Sequence, residues 1–324
     1  MVINMKKIAV LTSGGDAPGM NACIRAVVRT ALYYNIDVYG IDCGWQGLIS
    51  GNVTRLGSRS VSDMIHKGGT FLKTARCPEF VELEGQQKAA ETLSAFGIDG
   101  VVAIGGDGTL RGAKDLSDNC GVKVIGIPGT IDNDLAYTDY TLGFDSAVNT
   151  VLWAMNNLRD TMHSHNRISL LEVMGRHCGD IALYAGVAGG AEYVLVPEVP
   201  YDIDEIAKSL KKSRMRGKTS NMIILAEGAG NREEICAAIK EKTGIGVKQT
   251  ILGHIQRGGS PTMQDRILAT KFAVKAVEML KDGEESAAVG IKNNKIISMP
   301  FDEVFKAKRE FDKDLYNVAH VLGL

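Results

Sequence analysis

The chain has 324 residues, 45% of them hydrophobic, which exceeds the needs of one ordinary compact domain and can fill two cores. With 37 basic and 38 acidic residues the formal net charge is -1, so the overall balance supports neither a nucleic-acid partner nor a polybasic membrane contact, and any anion site must be built locally. The six cysteines (Cys23, Cys43, Cys77, Cys120, Cys178, Cys236) include no C-x-x-C pair for zinc or redox chemistry, and Ile8 to Leu11 is too short for a signal core or membrane span; a reduced, cytoplasmic protein is expected.

Lys7 to Leu11 reads as a strand, broken at Thr12-Ser13-Gly14-Gly15-Asp16 before Pro18 opens a helix to about Tyr34. On that helix Met20, Ile24, Val27, Val28 and Ala31 recur at helical spacing. Arg25 and Arg29 lie one turn apart on another stripe, where they can hold a phosphate or simply face solvent. Ile36 to Ile41 is a second strand. The glycine-rich stretch Gly44 to Gly85 reads as irregular, with a short helical patch near Val61 to His66, and loops of this length usually carry function. Arg76, ahead of the restricted Cys77-Pro78 pair, is a candidate phosphate ligand.

After a helix at Gln86 to Phe96, the strand Asp99 to Ile104 ends in Gly105-Gly106-Asp107-Gly108-Thr109. Glycines let the backbone approach a phosphate, Asp107 can hold Mg2+ through water, and the helix that follows favours an anion at its N-terminus. The apolar strand Val122 to Ile127 ends in Pro128-Gly129-Thr130-Ile131-Asp132-Asn133-Asp134. Ordinary turns collect the same residue types, but a hydroxyl and two carboxylates at a strand end also suit a phosphate, a metal ion and a proton acceptor.

Past Gly143 a long helix runs through Leu158, and the strand Arg167 to Val173 ends in Met174-Gly175-Arg176-His177-Cys178-Gly179. A helix from Asp180, a strand at Tyr193 to Val196, a helix at Asp204 to Met215 and a strand at Met222 to Ala226, ending in Glu227-Gly228, follow in turn. Arg232 to Lys242 is helical and Gln249 to Leu252 extended; Gly253-His254-Ile255-Gln256-Arg257-Gly258-Gly259 precedes a helix from about Met263 to Leu280. Alternation of strand and helix predicts an α/β protein with parallel sheets. No G-x-G-x-x-G follows the first strand, and no H-R-D or D-F-G occurs, which argues against a dinucleotide oxidoreductase and a protein kinase; Gly217-Lys218-Thr219 lacks the rest of a Walker A loop.

Together the loops at 11–16, 74–78, 105–109, 128–134, 174–176, 227–228 and 253–259 resemble those of bacterial-type ATP-dependent 6-phosphofructokinases, and the resemblance runs from Lys6 to about Leu324. Gly-Gly-Asp-Gly-Thr alone also resembles the loops of kinases acting on NAD or lipids; the set is far more specific. The resemblance implies the phosphofructokinase fold of two doubly wound, mainly parallel-sheet lobes and a homotetramer. Residues 1–142 with 256–306 would bind ATP, and 143–255 with 307–324 fructose 6-phosphate. The implied reaction is transfer from MgATP to the 1-hydroxyl of fructose 6-phosphate, the committed step of glycolysis, with pyrophosphate dependence as the alternative and a silent nucleotide sensor as a distant rival.

By the same resemblance ATP falls on Gly15, Arg76, Cys77, Gly106, Asp107, Gly108 and Thr109, with Asp107 serving Mg2+. Asp132 becomes the base, and Thr130, Asp134 and Arg176 position the phosphoryl group. The sugar phosphate would meet Thr130, Ile131 and Asp132, the Met174-Gly175-Arg176 run, Glu227, Ile255 and Gln256, while His254 and Arg257 hold its 6-phosphate. Arg167 and Lys248 would reach in from a neighbouring subunit. A second anion site, for a nucleoside diphosphate or phosphoenolpyruvate, maps onto Arg25 to Arg29 (with Ala26, Val27 and Val28), Arg59, Asp63, Arg159, Gly190, Ala191, Glu192, Arg216, Lys218, Thr219 and Ser220. Two departures stand out: many such enzymes carry arginine in place of Lys248 and histidine in place of Ser220. Gly108 and Gly129, where the pyrophosphate relatives carry Asp and Lys, favour ATP as donor.

Overall fold

A computed structural model describes residues 5–165, 167–218 and 220–323. The chain divides into two compact units, the first comprising Met1–Ile131, Leu135–Ser146 and Arg257–Arg309, the second Asp132–Asp134, Ala147–Gln256 and Glu310–Leu324. No helix among the described residues is long and apolar enough to cross a membrane.

The first unit is built on a seven-stranded sheet of β1 (Lys7–Thr12), β2 (Asp37–Ile41), β3 (Val53–Leu56), β4 (Gly100–Gly105), β5 (Lys123–Pro128), β10 (Ala287–Lys292) and β11 (Lys295–Pro300), in the order β11-β10-β5-β4-β1-β2-β3. Its central strands are apolar on both faces because helices cover both; Ile8 to Leu11 and Val101 to Ile104 are fully buried. β1 has β2 on one side and β4 on the other, both parallel, so the strand order reverses between β1 and β4. That crevice is where open α/β sheets take ligands. Helices α1 (Met20–Tyr33), α3 (Leu83–Phe96), α4 (Asp107–Cys120) and α9 (Met263–Asp282) complete the unit's main layers.

Both edges depart from the all-parallel expectation, since β3 runs antiparallel to β2 and β11 antiparallel to β10. The stretch read as irregular contains β3 and a short helix, α2 (Gly44–Ile49). The patch at Val61 to His66 is a run of turns, with Asp63 in the left-handed region at φ 55°. Too few apolar positions there face the core to hold a helix, since Val61 is buried but Ser62 and Asp63 are exposed.

The second unit carries a four-stranded parallel sheet of β6 (Ile168–Val173), β7 (Tyr193–Leu195), β8 (Asn221–Ala226) and β9 (Val247–Ile251), ordered β7-β8-β6-β9. Its helices are α6 (Asp180–Gly189), α7 (Ile203–Met215), α8 (Arg232–Thr243) and α11 (Lys313–Leu322). Leu170, Ile223, Leu225 and Ile239 form the centre of its core. The long helix α5 (Phe144–His165) begins in the first unit, continues in the second and runs a further two turns beyond the expected Leu158. A four-residue helix, α10 (Phe301–Val304), follows β11.

Candidate functional site

In the first unit, three loops leave adjacent carboxyl ends at one level, because Thr12 is in register with Ile104 and Gly105 with Pro128. Short bonds tie them together. Ser13 N–H donates to the Ile104 carbonyl at 3.0 Å, Thr109 Oγ1 donates to the Ser13 carbonyl at 3.0 Å, and Gly129 N–H donates to the Gly105 carbonyl at 2.9 Å. A Cβ on Gly105 would collide with Thr109 Oγ1 and the Ser13 carbonyl, so this position admits only glycine without rearrangement.

Gly106 caps α4, and Asp107 and Gly108 form its first turn, where unpaired N–H groups and the helix dipole favour an anion. Asp107 is exposed, and its carboxylate lies 2.7 Å from Arg111 Nε; Arg111 in turn sits 4.4 Å over the Phe305 ring. No cluster of three or more His, Cys, Asp or Glu residues suited to a metal occurs among the described residues. One accessible carboxylate beside a helix N-terminus nevertheless fits Mg2+, which keeps waters and substrate oxygens as most of its ligands.

The two glycines singled out for ATP selectivity differ. A Cβ on Gly108 meets nothing within 4 Å, whereas one on Gly129 would lie 3.1 Å from Ile104 Cγ2, 3.2 Å from Met20 Cε and 3.3 Å from Gly105 N. Packing therefore accounts for glycine at 129. Only at 108 is the space left open by the protein itself.

The expected nucleotide loop around Arg76 and Cys77 is held from two sides. Thr74 Oγ1 donates to the Gly14 carbonyl, and Phe80, in the 3-10 turn after Cys77, stacks on Trp45 with ring centroids 4.4 Å apart. That stack presses on α4, since a Cβ on Gly112 would lie 2.9 Å from Trp45 Nε1. Arg76 is exposed; Cys77 is half-buried, and burial raises its thiol pKa. Two contributors missed in the sequence are Asn21 and Thr141. Asn21 is buried, donates to the Gly68 carbonyl at 2.9 Å and accepts from Phe71 N–H at 2.8 Å, and a polar residue on an otherwise apolar helix stripe was its readable signal. Thr141 Oγ1 donates to the Thr130 carbonyl at 2.7 Å.

Arg257, expected at the sugar phosphate, lies in the first unit against Gly15. Its Nη1 donates to the Asp16 carbonyl at 3.3 Å, and any Cβ on Gly15 would collide with the guanidinium.

In the second unit β6 lies between β8 and β9, so the loop after it is flanked by the loops bearing Glu227 and His254. Glu227 N–H donates to the Val173 carbonyl at 2.9 Å, and Met174 N–H to Gln256 Oε1 at 3.3 Å, with Gln256 fully buried. Gly175 has φ 123° and a Cβ there would collide with the Cys178 carbonyl, while a Cβ on Gly228 would collide with the Arg176 carbonyl. Asn133 Nδ2 donates to Asp180 Oδ2 at 2.9 Å, which docks the Asp132–Asp134 segment at the start of α6. Met174, Gly175, Arg176, Glu227 and Gln256 thus share one end of the sheet. Arg176, Glu227, His254 and Ile255 expose their side chains there.

Arg167 and Lys248 line a cavity of about 610 Å³ with Arg214 and Lys240 at the other end of this sheet. Among the expected effector residues, Glu192 is nearly buried, pairs with Lys218 Nζ at 3.1 Å and accepts from Met222 N–H; Arg159 Nη2 donates to the Gly189 carbonyl at 2.8 Å and also to that of Gly190. Arg216 and Ser220 follow α7, and Thr219 lies outside the described residues. Arg25, Arg29, Arg59 and Asp63 belong to the first unit; burial, then the neighbouring charge of Arg29, lowers the Arg25 pKa, a repulsion that a bound anion would relieve.

The phosphofructokinase family profile matches residues 7–280. The chain is 58% identical over 319 residues to the ATP-dependent 6-phosphofructokinase of Clostridium botulinum, covering 98% of this chain and 100% of the relative. It is 57% identical over the same length, with the same coverage, to the enzyme of that name from Clostridium acetobutylicum. The structure of phosphofructokinase from Saccharomyces cerevisiae superposes with a TM-score of 0.89 at 37% identity, covering 98% of this chain, which spans 48% of the yeast chain.

Proposed function

The chain belongs to the phosphofructokinase family, and from that premise we propose how it transfers the terminal phosphoryl group of ATP to the 1-hydroxyl of fructose 6-phosphate, yielding fructose 1,6-bisphosphate and ADP. The observation that carries this reading is the alignment of the 13–16, 106–109 and 129–131 loops on three neighbouring strand ends at the reversal of strand order in the first unit.

In this reading the first unit is the ATP-binding lobe. Gly15, Arg76, Cys77 and residues 106–109 receive the nucleotide, whose phosphates meet the N-terminus of α4. Asp107 would hold Mg2+, which when bound supplies charge neutralisation to the phosphates. The second unit is the fructose 6-phosphate lobe, with Met174, Gly175, Arg176 and Glu227 on the sugar and His254 on its 6-phosphate. Arg257, through its place beside Gly15, is positioned to brace the nucleotide loop as well as to meet the sugar phosphate. Asp132 accepts the proton of the 1-hydroxyl. In a loose transition state that proton leaves late, so a carboxylate of ordinary basicity suffices. Thr130, Ile131 and Asp134 orient the reacting groups, and Arg176 neutralises charge on the transferred phosphoryl.

Arg167 and Lys248 act on the sugar phosphate of a neighbouring subunit in a cytoplasmic homotetramer. The second anion site, at a subunit interface, combines Glu192, Lys218, Arg159 and Arg216 of one subunit with the arginines of α1 of a neighbouring one; it takes a nucleoside diphosphate or phosphoenolpyruvate and regulates the enzyme. A coupled assay with fructose 6-phosphate, Mg2+ and either ATP or pyrophosphate tests the donor: ATP should give the higher kcat/KM, and preference for pyrophosphate would refute the assignment.

A further inference from the structure

We propose that Asp265 is a positioning residue for phosphoryl transfer, anchoring through Gly143 the backbone arm that holds the Pro128–Thr130 segment in place. This rests on the reading of Thr130 and Asp132 as groups of the reaction.

Asp265 sits in the first turn of α9 and is 1% exposed. One carboxylate oxygen accepts from Gly143 N–H at 2.9 Å; the other accepts from Ser146 N–H at 2.9 Å and from Ser146 Oγ at 2.6 Å. It therefore caps the start of α5, more than a hundred residues earlier in the chain. Immediately before that cap the chain returns from the 128–134 loop. Leu142 N–H donates to the Pro128 carbonyl at 2.9 Å and Thr141 Oγ1 to the Thr130 carbonyl at 2.7 Å, so consecutive residues link the two sides of the loop and end on Asp265.

Gly143 cannot shift independently. Its φ is 98°, and a Cβ there would lie 2.7 Å from Ala17 Cβ and 3.1 Å from Ile131 Cγ2. The same backbone is thus wedged between the base of the 12–18 loop and Ile131, next to Asp132. Asp265 also underlies Gly19, which caps α1: a Cβ on Gly19 would be 3.6 Å from Asp265 Cβ. The carboxylate thus anchors the root of the 128–134 loop, and the Asp265 side chain packs beside Gly19 at the start of α1. Burial, and then the neighbouring carboxylate Asp145, pushes its pKa up to about 6 despite the three donated hydrogen bonds. The fold thus holds an ionised group at neutral pH against its own desolvation cost, which is consistent with a role beyond packing.

The test uses the full-length enzyme with ATP and fructose 6-phosphate. In Asp265→Asn the amide still accepts from Gly143 but presents an N–H group to Ser146 N–H. Turnover should fall by roughly 10- to 100-fold, the scale of a small misplacement of reacting groups, with either KM changed less than about threefold. If Asp265→Asn does not fold, Ser146→Ala removes the hydroxyl's bond to Asp265 together with the one it accepts from Thr262 N–H, and should still lower kcat by roughly three- to tenfold. A double-mutant cycle of Ser146→Ala with Thr141→Val, read on kcat per site titrated with nucleotide, should be non-additive, since both changes loosen the same arm. Wild-type kcat in Ser146→Ala, or additivity in the cycle, would overturn the inference. Asp132→Asn separates the two readings. An inactive Asp132→Asn beside a fully active Ser146→Ala defeats only the role of Asp265, whereas an active Asp132→Asn defeats the catalytic reading beneath it.

Discussion

Gly108 gives a prediction in which stability and activity move in opposite directions. It occupies the first turn of α4, its φ lies outside the left-handed region, and a Cβ there meets nothing within 4 Å. Replacing a helical glycine by alanine gains about 0.5 to 1 kcal/mol from reduced unfolded-state entropy and better helix propensity, with the lower figure applying in a first turn. For a unit of this size about 0.5 kcal/mol raises Tm by about 1 to 2 °C. The added methyl also occupies the space above the helix N-terminus where, in the proposed reading, the nucleotide phosphates approach. A loss of about 1.4 kcal/mol there raises the KM for ATP about tenfold, while the KM for fructose 6-phosphate stays put. Gly108→Asp should be worse, because it adds a carboxylate beside Asp107 facing the same anion. Thermal unfolding of the ligand-free protein and initial rates against ATP measure the two effects. A more stable Gly108→Ala with an unchanged KM for ATP would show that the phosphates do not pass there. Substitution at Gly129 lacks this power, since Ile104, Met20 and Gly105 already crowd it.

Removing the charges of Arg216 and Lys218 should abolish activation or inhibition by nucleoside diphosphate or phosphoenolpyruvate and leave saturated turnover within about twofold; kinetics with and without effector decide this, and a persisting response would place the effector elsewhere. If the proposed homotetramer shares its sites between subunits, inactive Lys248→Ala and Asp132→Asn subunits mixed in one tetramer should regain activity, because some sites would draw an intact residue from each parent, and no recovery in verified mixed tetramers would refute a shared site. Asp265 titrates at about 6 in the folded chain against a reference of 3.8, so the folded state binds that proton more tightly. Its contribution to stability is greatest at low pH and declines as pH rises from about 4 to 6, a difference of about 3 kcal/mol. The stability of Asp265→Asn relative to wild type should therefore rise by about that amount between pH 4 and 7 in urea unfolding, and a constant difference would contradict the raised pKa.

The strand-end loops were legible because their chemistry is local: a buried apolar run stops, and glycine, threonine and aspartate follow at once, as at Ile104 to Thr109 and Ile127 to Asp134. Elements held by partners distant in the chain were not. β3 exists because Val53 to Leu56 pair antiparallel with Val38 to Ile41, and nothing within the glycine-rich stretch announces that pairing. The β10–β11 hairpin did carry a signal that went unread: Asn293 and Asn294 both take positive φ, 50° and 62°, in a two-residue turn between strands. Arg257 was placed at the sugar phosphate by resemblance; its further contact with the Asp16 carbonyl, 241 residues away, has no local signal in the sequence. Asp265 was invisible for a related reason. Two of its three donors are backbone N–H groups at 143 and 146, which every residue but proline possesses, and the third is the hydroxyl of Ser146, more than a hundred residues earlier in the chain.

The most direct test of the account is turnover and binding measured together in Asp132→Asn. If Asp132 is the proton acceptor of the proposed reaction, it matters during chemistry, so kcat should fall by roughly 10^2- to 10^4-fold, while equilibrium titration gives Kd values for ATP and fructose 6-phosphate within about twofold of wild type. Near-normal turnover with both substrates bound would contradict the assignment of the base, and with it the mechanism built on the 128–134 loop.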